Sequence, residues 1–336
     1  MSVRIGFHGF GRIGRAVFRL LYERRRDFDV RCIADVAMPE SLAYLLNFDS
    51  RHGRFPEEVK VENSQMFCSG RSIPLVHARE PGEVRWRDHD VDIVIECSGK
   101  YRTRASLEKH LEAGARRVLL TNPPAEDLAS ALYCVGLNDG KIDRTHKLVS
   151  ASSPTSNALT ILVKVLDEAF GLEQATMTTV HAYTNELSLA DFPHRQLRRS
   201  RAAAENIIPS TTYAVRACET LMPHLKGRVS GMALNVPVPD GSCIDLTAKL
   251  RRRVSPGEVN GAVRSVVRGY LKGILAYTEQ PIVSSDVVYD THTATFDGLA
   301  TKVLGGSLVK TVAWYDNGWG YANRVVDLAE RLARTL

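Results

Sequence analysis

A glycine turn within the first fifteen residues constrains this chain more than any other feature. Gly9-Phe10-Gly11-Arg12-Ile13-Gly14 follows VRIGF (residues 3–7), a short apolar run with the character of a buried parallel strand. The turn opens RIGRAVFRLLYER, whose apolar residues recur at helical spacing. DVRCIADV then reads as a second strand, delivering Asp35 about 20 residues beyond Gly14. Strand, G-x-G-x-x-G turn, helix and acid together predict a dinucleotide site. Gly9 permits the tight turn, Gly11 lets backbone approach a pyrophosphate, and Gly14 allows close helix–strand packing. Unpaired N–H groups at the helix start bind phosphate. Asp35 is expected to accept hydrogen bonds from the adenosine ribose and to repel a 2′-phosphate, favouring NAD over NADP.

The alternation continues. VDIVIECSG is a buried strand, RASLEKHLEAG a helix stopped at Gly114, and RRVLLTNPP another strand. Strands alternating with helices predict a doubly wound parallel sheet. Near the midpoint, SASSPTSN (150–157) starts the helix ALTILVKVLDEAF. After about residue 171 the strands lengthen (ATMTTVHAY, VSGMALNVPVP, SCIDLTAKL, SLVKTVAWYD) and the connections become loop-like. The expected fold is α/β: a Rossmann doubly wound domain over 1–152, then an α+β catalytic domain with a mixed or antiparallel sheet over 153–319. The amphipathic helix 320–336 is expected to rejoin the first domain.

With 336 residues, two domains suit the length. Hydrophobic content of 44% and charge of 24% are those of a globular chain, and no apolar run reaches the roughly 18 residues of a membrane span. MSVRIGFHGFGRIGR leads straight into a strand, so the expected location is the cytoplasm. Six cysteines lie without paired spacing, which supports neither a disulfide framework nor a metal site. The net charge of +6 is spread among acids, with short runs at Arg24-Arg25-Arg26 and Arg251-Arg252-Arg253. That pattern indicates a solvated basic surface, not a nucleic-acid site, and suits an anionic small molecule.

HGFGRIGR, FDSRHGRF (48–55), TTVHAYTNE (178–186), RRSRAAAENIIPSTT (198–212), VPVPDGS (236–242) and WYDNGWGYANRVVDLAE (314–330) together resemble the phosphorylating glyceraldehyde-3-phosphate dehydrogenase family, in order from end to end. The resemblance implies a homotetramer, with an S-loop over about 185–208. It also implies that His181 is the catalytic acid–base residue. Arg12, Ile13, Arg79 and Thr121 match cofactor contacts, Asn317 and Tyr321 match residues holding the nicotinamide end, and Pro193 fits NAD-preferring members. Ser150, Ser153, Thr155, Thr184, Glu186, Arg199, Thr212 and Asn235 fall at substrate or anion positions.

The pattern breaks at the nucleophile. The family's S-N-A-S-C-T-T-N appears here as S-A-S-S-P-T-S-N, which places Pro154 where the cysteine stands. A thiol is readily activated at a helix N-terminus or beside histidine, whereas proline has neither a nucleophile nor an N–H. Ser152 and Ser153 are the nearest alcohols, and each would need an aligned base and an oxyanion hole. Ser153 as N-cap with Pro154 at the first helical position is a good helix start. The family's phosphate-gripping arginine is Asn235 here, its acid is the longer Glu186, and Tyr213 replaces a glycine. His8 stands for the usual Asn and Gly318 for Glu. Three readings follow: an NAD-dependent oxidoreductase with altered chemistry, transferring hydride on a small polar or phosphorylated carbonyl or alcohol without a cysteine thioester, a non-catalytic NAD-binding homologue, or the ordinary phosphorylating enzyme.

Overall fold

The computed structural model describes residues 2–23 and 27–336; the Arg24–Arg26 run lies outside the described residues. The chain divides into two compact units, one comprising Met1–Tyr133, Asp139–Ser152 and Val325–Leu336, the other Cys134–Asn138 and Ser153–Arg324.

In the first unit the elements run β1 (Val3–His8), α1 (Arg12–Glu23), β2 (Phe28–Asp35), α2 (Pro39–Asn47), β3 (Phe48–Asp49), β4 (Gly53–Arg54), β5 (Lys60–Glu62), β6 (Gln65–Cys68), β7 (Arg71–His77), β8 (Ile93–Glu96), α3 (Arg104–Glu112), β9 (Arg117–Leu120) and β10 (Leu148–Ser150). Eight strands form one sheet in the order β10-β9-β8-β1-β2-β7-β6-β5. β1 pairs in parallel with both β2 and β8, so the sheet order reverses beside the glycine turn. This is the doubly wound arrangement expected, with its ligand crevice at the carboxyl ends of the strands. At one edge of this sheet β5, β6 and β7 pair antiparallel. They are joined by tight turns through Asn63–Ser64 and Ser69–Gly70, all at positive φ, and a turn that short cannot make a parallel crossover.

The second unit continues α4 (Pro154–Phe170), β11 (Leu172–Ala182), β12 (Ile208–Ser210), α5 (Ala214–Leu221), β13 (Val229–Val236), β14 (Ser242–Leu250), α6 (Pro256–Arg268), β15 (Leu275–Thr278), β16 (Ala294–Leu304) and β17 (Leu308–Tyr315); α7 (Trp319–Ala333) starts here and from Val325 onward belongs to the first unit. Its seven strands lie in the order β12-β13-β11-β14-β17-β16-β15. The sheet is mixed: β11 is parallel to β13 and antiparallel to β14. One face packs under α4, whose Leu159, Ile161, Leu162, Val165 and Leu166 are buried together with Ile244, Leu246, Ala313 and Tyr315. In the Arg251–Arg253 run, Arg252 donates to the Ala169 carbonyl at 3.1 Å. No helix among the described residues is long and apolar enough to cross a membrane.

Candidate active site

The glycine turn is shaped by close approach. Gly9 has φ +91°, and a Cβ there would meet Ser98 N at 2.5 Å. A Cβ on Gly14 would meet Gly9 O at 2.8 Å, whereas one on Gly11 would meet nothing within 4 Å. The first and third glycines therefore serve packing, and the second faces the open side where an anion can approach the backbone. Arg12 and Ile13, half-buried, begin α1. Asp35 ends β2 with Oδ2 accepting from Phe10 N (2.6 Å) and Oδ1 from Ala37 N (2.8 Å). Each oxygen keeps acceptor capacity, so the carboxylate is oriented and still able to receive ribose hydroxyls. Thr121, buried, donates to Glu96 O at 3.2 Å. Arg79 is exposed, its carbonyl accepting from Tyr101 Oη at 2.8 Å.

Below the turn lies a buried network that sequence reasoning did not anticipate. His8 Nδ1 donates to Glu96 Oε2 (2.6 Å), His110 Nε2 to the same oxygen (3.1 Å), and Ser98 N and Oγ to Glu96 Oε1 (2.9 and 2.6 Å). These hydrogen bonds to His110, His8 and Ser98 outweigh the cost of burial and hold the Glu96 carboxyl down at about 2. The three residues are close enough to hold a metal ion, but the tautomers argue otherwise. Trp86 Nε1–H donates to His110 Nδ1 at 3.0 Å, so the neutral ring carries its proton on Nε2, the nitrogen that faces Glu96. Burial lowers the His110 pKa and keeps the ring neutral. A protonated Nε2 cannot ligate.

In the second unit, the start of α4 is built as its sequence indicates. Ser153 is the N-cap, extended at φ −137° and ψ 161°, with its hydroxyl accepting from Ser156 N at 3.2 Å and sharing a 2.7 Å hydrogen bond with Ser156 Oγ. Pro154 follows in the first turn. The one hydroxyl adjacent to Pro154 on its N-terminal side is thus engaged in capping, not aligned with a base. Ser152 is buried at φ +63°, a left-handed conformation that is uncommon outside glycine.

Two of the expected anion ligands have internal partners. Ser150 is fully buried, donating to Asn122 O (2.8 Å) and accepting from Ser152 N (3.0 Å). Thr155 is 5% exposed and lies 2.9 Å from Tyr315 Oη. Thr179 Oγ1 is 2.8 Å from the same phenol and donates to Cys243 O at 3.1 Å. Because Thr179 gives its only proton to that carbonyl, it accepts from Tyr315, and Tyr315 accepts from Thr155. The result is a directional chain from Thr155 through Tyr315 and Thr179 to the backbone. The Tyr315 phenol, pushed up to about 12 by burial, remains protonated.

His181 lies near the end of β11, half-buried, with its ring edge-on to Tyr315 at 6.1 Å. Its Nδ1 is 2.6 Å from the Ala182 carbonyl, which can only accept, so Nδ1 bears the proton and Nε2 carries the lone pair. That is the tautomer an acid–base group requires. No cysteine stands in for the missing nucleophile. Cys243 is paired with Val180 across β14 and β11, so alternation sends it to the sheet face opposite His181. Burial pushes Cys243 to about 11, Cys32 and Cys218 to about 12, and Cys97 well above the ordinary thiol value.

Asn235 is the direct register partner of His181 in β13. Arg199 is ion-paired with Glu186 at 2.7 Å, which offsets the charge expected there. Thr184, half-buried, accepts from Glu186 N at 3.4 Å, and Thr212 accepts from Ala214 N at 3.2 Å at the start of α5. Asn317 is 1% exposed: its Oδ1 accepts from Ser242 Oγ at 2.9 Å, while Nδ2 has no partner among the described residues. Ser242 in turn accepts from Ala182 N at 3.0 Å, tying Asn317 to the His181 strand. A buried orphan amide donor fits an incoming carbonyl oxygen such as that of a carboxamide. Tyr321 is buried in the first turn of α7. Sequence reasoning missed the roles of Tyr315 and Ser242, although both lie inside motifs it quoted, WYDNGWGY and VPVPDGS.

The profile described as "Glyceraldehyde 3-phosphate dehydrogenase, NAD binding domain" matches residues 3–104, and that described as "Glyceraldehyde 3-phosphate dehydrogenase, C-terminal domain" matches residues 153–317. The chain is 44% identical over 330 residues to glyceraldehyde-3-phosphate dehydrogenase 2 of Streptomyces avermitilis, covering 98% of each chain. It is 44% identical over 335 residues to the glyceraldehyde-3-phosphate dehydrogenase of Geobacillus stearothermophilus, and 42% over 335 residues to glyceraldehyde-3-phosphate dehydrogenase 1 of Bacillus subtilis, covering 99% of each chain in both cases. With its NAD-binding domain, its mixed-sheet second unit and this end-to-end similarity, the chain belongs to the glyceraldehyde-3-phosphate dehydrogenase family.

Proposed function

We propose that this family member is an NAD-dependent oxidoreductase that transfers hydride on a small polar carbonyl or alcohol without forming a cysteine thioester. The observation that carries the reading is Pro154 in the first turn of α4, beside a Ser153 hydroxyl committed to the cap, while His181 keeps the tautomer of an acid–base group.

Gly9, Gly11, Arg12, Ile13, Gly14, Asp35, Arg79 and Thr121 are the residues that would hold the cofactor's adenosine and phosphates, with Asn317 and Tyr321 at its nicotinamide end. Asp35, already oriented by Phe10 N and Ala37 N, excludes a 2′-phosphate by charge. When bound, NAD supplies the two-electron acceptor, so that an alcohol losing a hydride to it and a proton to His181 becomes a carbonyl. His181 Nε2 takes or returns that proton, and its Nδ1–H, fixed on Ala182 O, stabilises the cationic ring. Pro154 adds no backbone donor at the helix start, so α4 offers one fewer N–H to an oxyanion there than a non-proline residue would.

The protein is proposed to work as a homotetramer in the cytoplasm, where its six free thiols stay reduced. The test is spectrophotometric: purified protein, NAD and a panel of small carbonyls and alcohols, in phosphate-free buffer. Turnover that disappears in His181→Ala supports the reading. Turnover surviving that change removes His181 from its role, and NAD binding with no turnover leaves a binding-only homologue.

A further inference from the structure

The group beside His181 decides what the site can hold. β11 and β13 are parallel and in register, with His181 opposite Asn235. Paired residues project from the same face of a sheet, on strands about 4.8 Å apart. The two side chains therefore emerge side by side, and Asn235 is next to whatever reacts at His181.

The amide of Asn235 has only one kind of capacity left. Its Nδ2 lies 3.3 Å from Ile208 O and 2.9 Å from Ser210 Oγ. A backbone carbonyl can only accept, which fixes the amide orientation and commits both N–H groups to β12. Oδ1 remains, an acceptor. Ser210, having accepted from Nδ2, retains a hydroxyl proton to give. The pair thus presents an acceptor beside a donor, the complement of an alcohol.

A phosphate is the wrong partner for this pair. Its oxygens are acceptors and carry negative charge near neutral pH, so one facing Asn235 Oδ1 is repelled and unbonded. The charge of Arg199, on the turn packed against β12, is already paired with Glu186 at 2.7 Å, and its Nε is enclosed. Thr155 and Ser150, whose hydroxyls point into the protein, contribute nothing to an anion.

The geometry points to an uncharged hydroxyl as the substrate group held next to His181, selected by Asn235 Oδ1 with Ser210 as its partner. The substrate class is then an unphosphorylated polyhydroxy aldehyde or alcohol, such as a short aldose or its alditol. This rests on the proposed hydride transfer and names its substrate. In the reductive direction, the aldehyde carbon gains a hydride from NADH and its oxygen gains a proton from His181, giving the alcohol and NAD.

Two measurements test this on the full chain. NADH oxidation is followed with glyceraldehyde and with glyceraldehyde-3-phosphate, for wild type, Asn235→Leu and Asn235→Arg. Saturation-transfer NMR on the NAD complex compares glycerol with glycerol 3-phosphate, independently of turnover. The neutral compounds should be preferred by about tenfold or more in wild type, as one well-placed hydrogen bond and an avoided repulsion allow. Asn235→Leu should lower glycerol binding by about tenfold, and Asn235→Arg should shift preference toward the phosphorylated compounds. A wild-type preference for the phosphorylated compounds, or glycerol binding unchanged in Asn235→Leu, overturns the inference. Asn235-dependent glycerol binding without turnover supports it while removing the hydride-transfer reading. His181-dependent turnover confined to phosphorylated compounds does the reverse.

Discussion

Replacing Tyr315 with Phe removes one hydroxyl from the buried chain that links the start of α4 to the strand bearing His181. The ring of this 1% exposed residue is kept, so apolar packing is preserved and the hydrogen bonds of 2.9 and 2.8 Å to Thr155 and Thr179 are lost. The two losses are unequal. Thr179 keeps its donation to Cys243 O, so its share is the net value of a neutral hydrogen bond, about 0.5–1.5 kcal/mol. Thr155, 5% exposed, is left with a buried donor stranded, at about 1–3 kcal/mol. The total is about 1.5–4.5 kcal/mol. Urea unfolding followed by tryptophan fluorescence should show a lower midpoint with unchanged slope. Thr155→Val removes the same donor by another route, so in the double variant the second change should cost about 1–2 kcal/mol less than it does alone. Costs that add to within about 0.5 kcal/mol would refute the coupled chain. The same Thr155→Val protein should bind inorganic phosphate as wild type does, because its hydroxyl faces inward.

Asp35→Ala should weaken NAD binding by about tenfold to a hundredfold in calorimetry, the value of hydrogen bonds to a charged group; unchanged affinity would remove Asp35 from the ribose site. Iodoacetamide should leave activity intact, because burial keeps Cys32, Cys97, Cys218 and Cys243 protonated; stoichiometric alkylation accompanied by inactivation would contradict this. The Glu96 carboxyl titrates lower in the folded chain, near 2, than the ordinary value of 4.5. Its stabilising contribution is therefore complete above about 4.5 and is lost as pH falls toward 2. His110, held neutral by burial, adds loss in the same direction beginning below the ordinary histidine value. Acid unfolding should flatten in that lower window in Glu96→Gln, and an unaltered pH slope would show that Glu96 is not the titrating group.

The elements with strong local signals were legible in the sequence. β1, the glycine turn, α1 and the β2 acid follow from periodicity and turn chemistry, and the S-A-S-S-P start of α4 follows from capping rules. What escaped were arrangements set by distant partners. The three edge strands β5–β7 are three to seven residues long and carry no clean alternation. His8, Glu96 and His110 are dispersed along the sequence and meet only because β1 and β8 are neighbours and α3 brings His110 to Glu96. The orientation of Thr155 depends on Tyr315, a hundred and sixty positions away. Motif alignment places Ser150 and Thr155 at anion positions, yet it cannot say which way a hydroxyl turns. For Asn235 the reverse holds: its identity was plain, and its remaining acceptor became visible only with its partners in β12.

The central claim is that this family member works without a covalent cysteine step. Its most direct test is NADH formation or consumption by iodoacetamide-treated protein in phosphate-free buffer, with wild type and His181→Ala side by side. The account expects turnover of a small hydroxyl-bearing carbonyl or alcohol, falling by about a hundredfold to ten-thousandfold in His181→Ala as loss of a general acid–base group implies. Phosphate-dependent oxidation of glyceraldehyde-3-phosphate by the wild-type protein would contradict it.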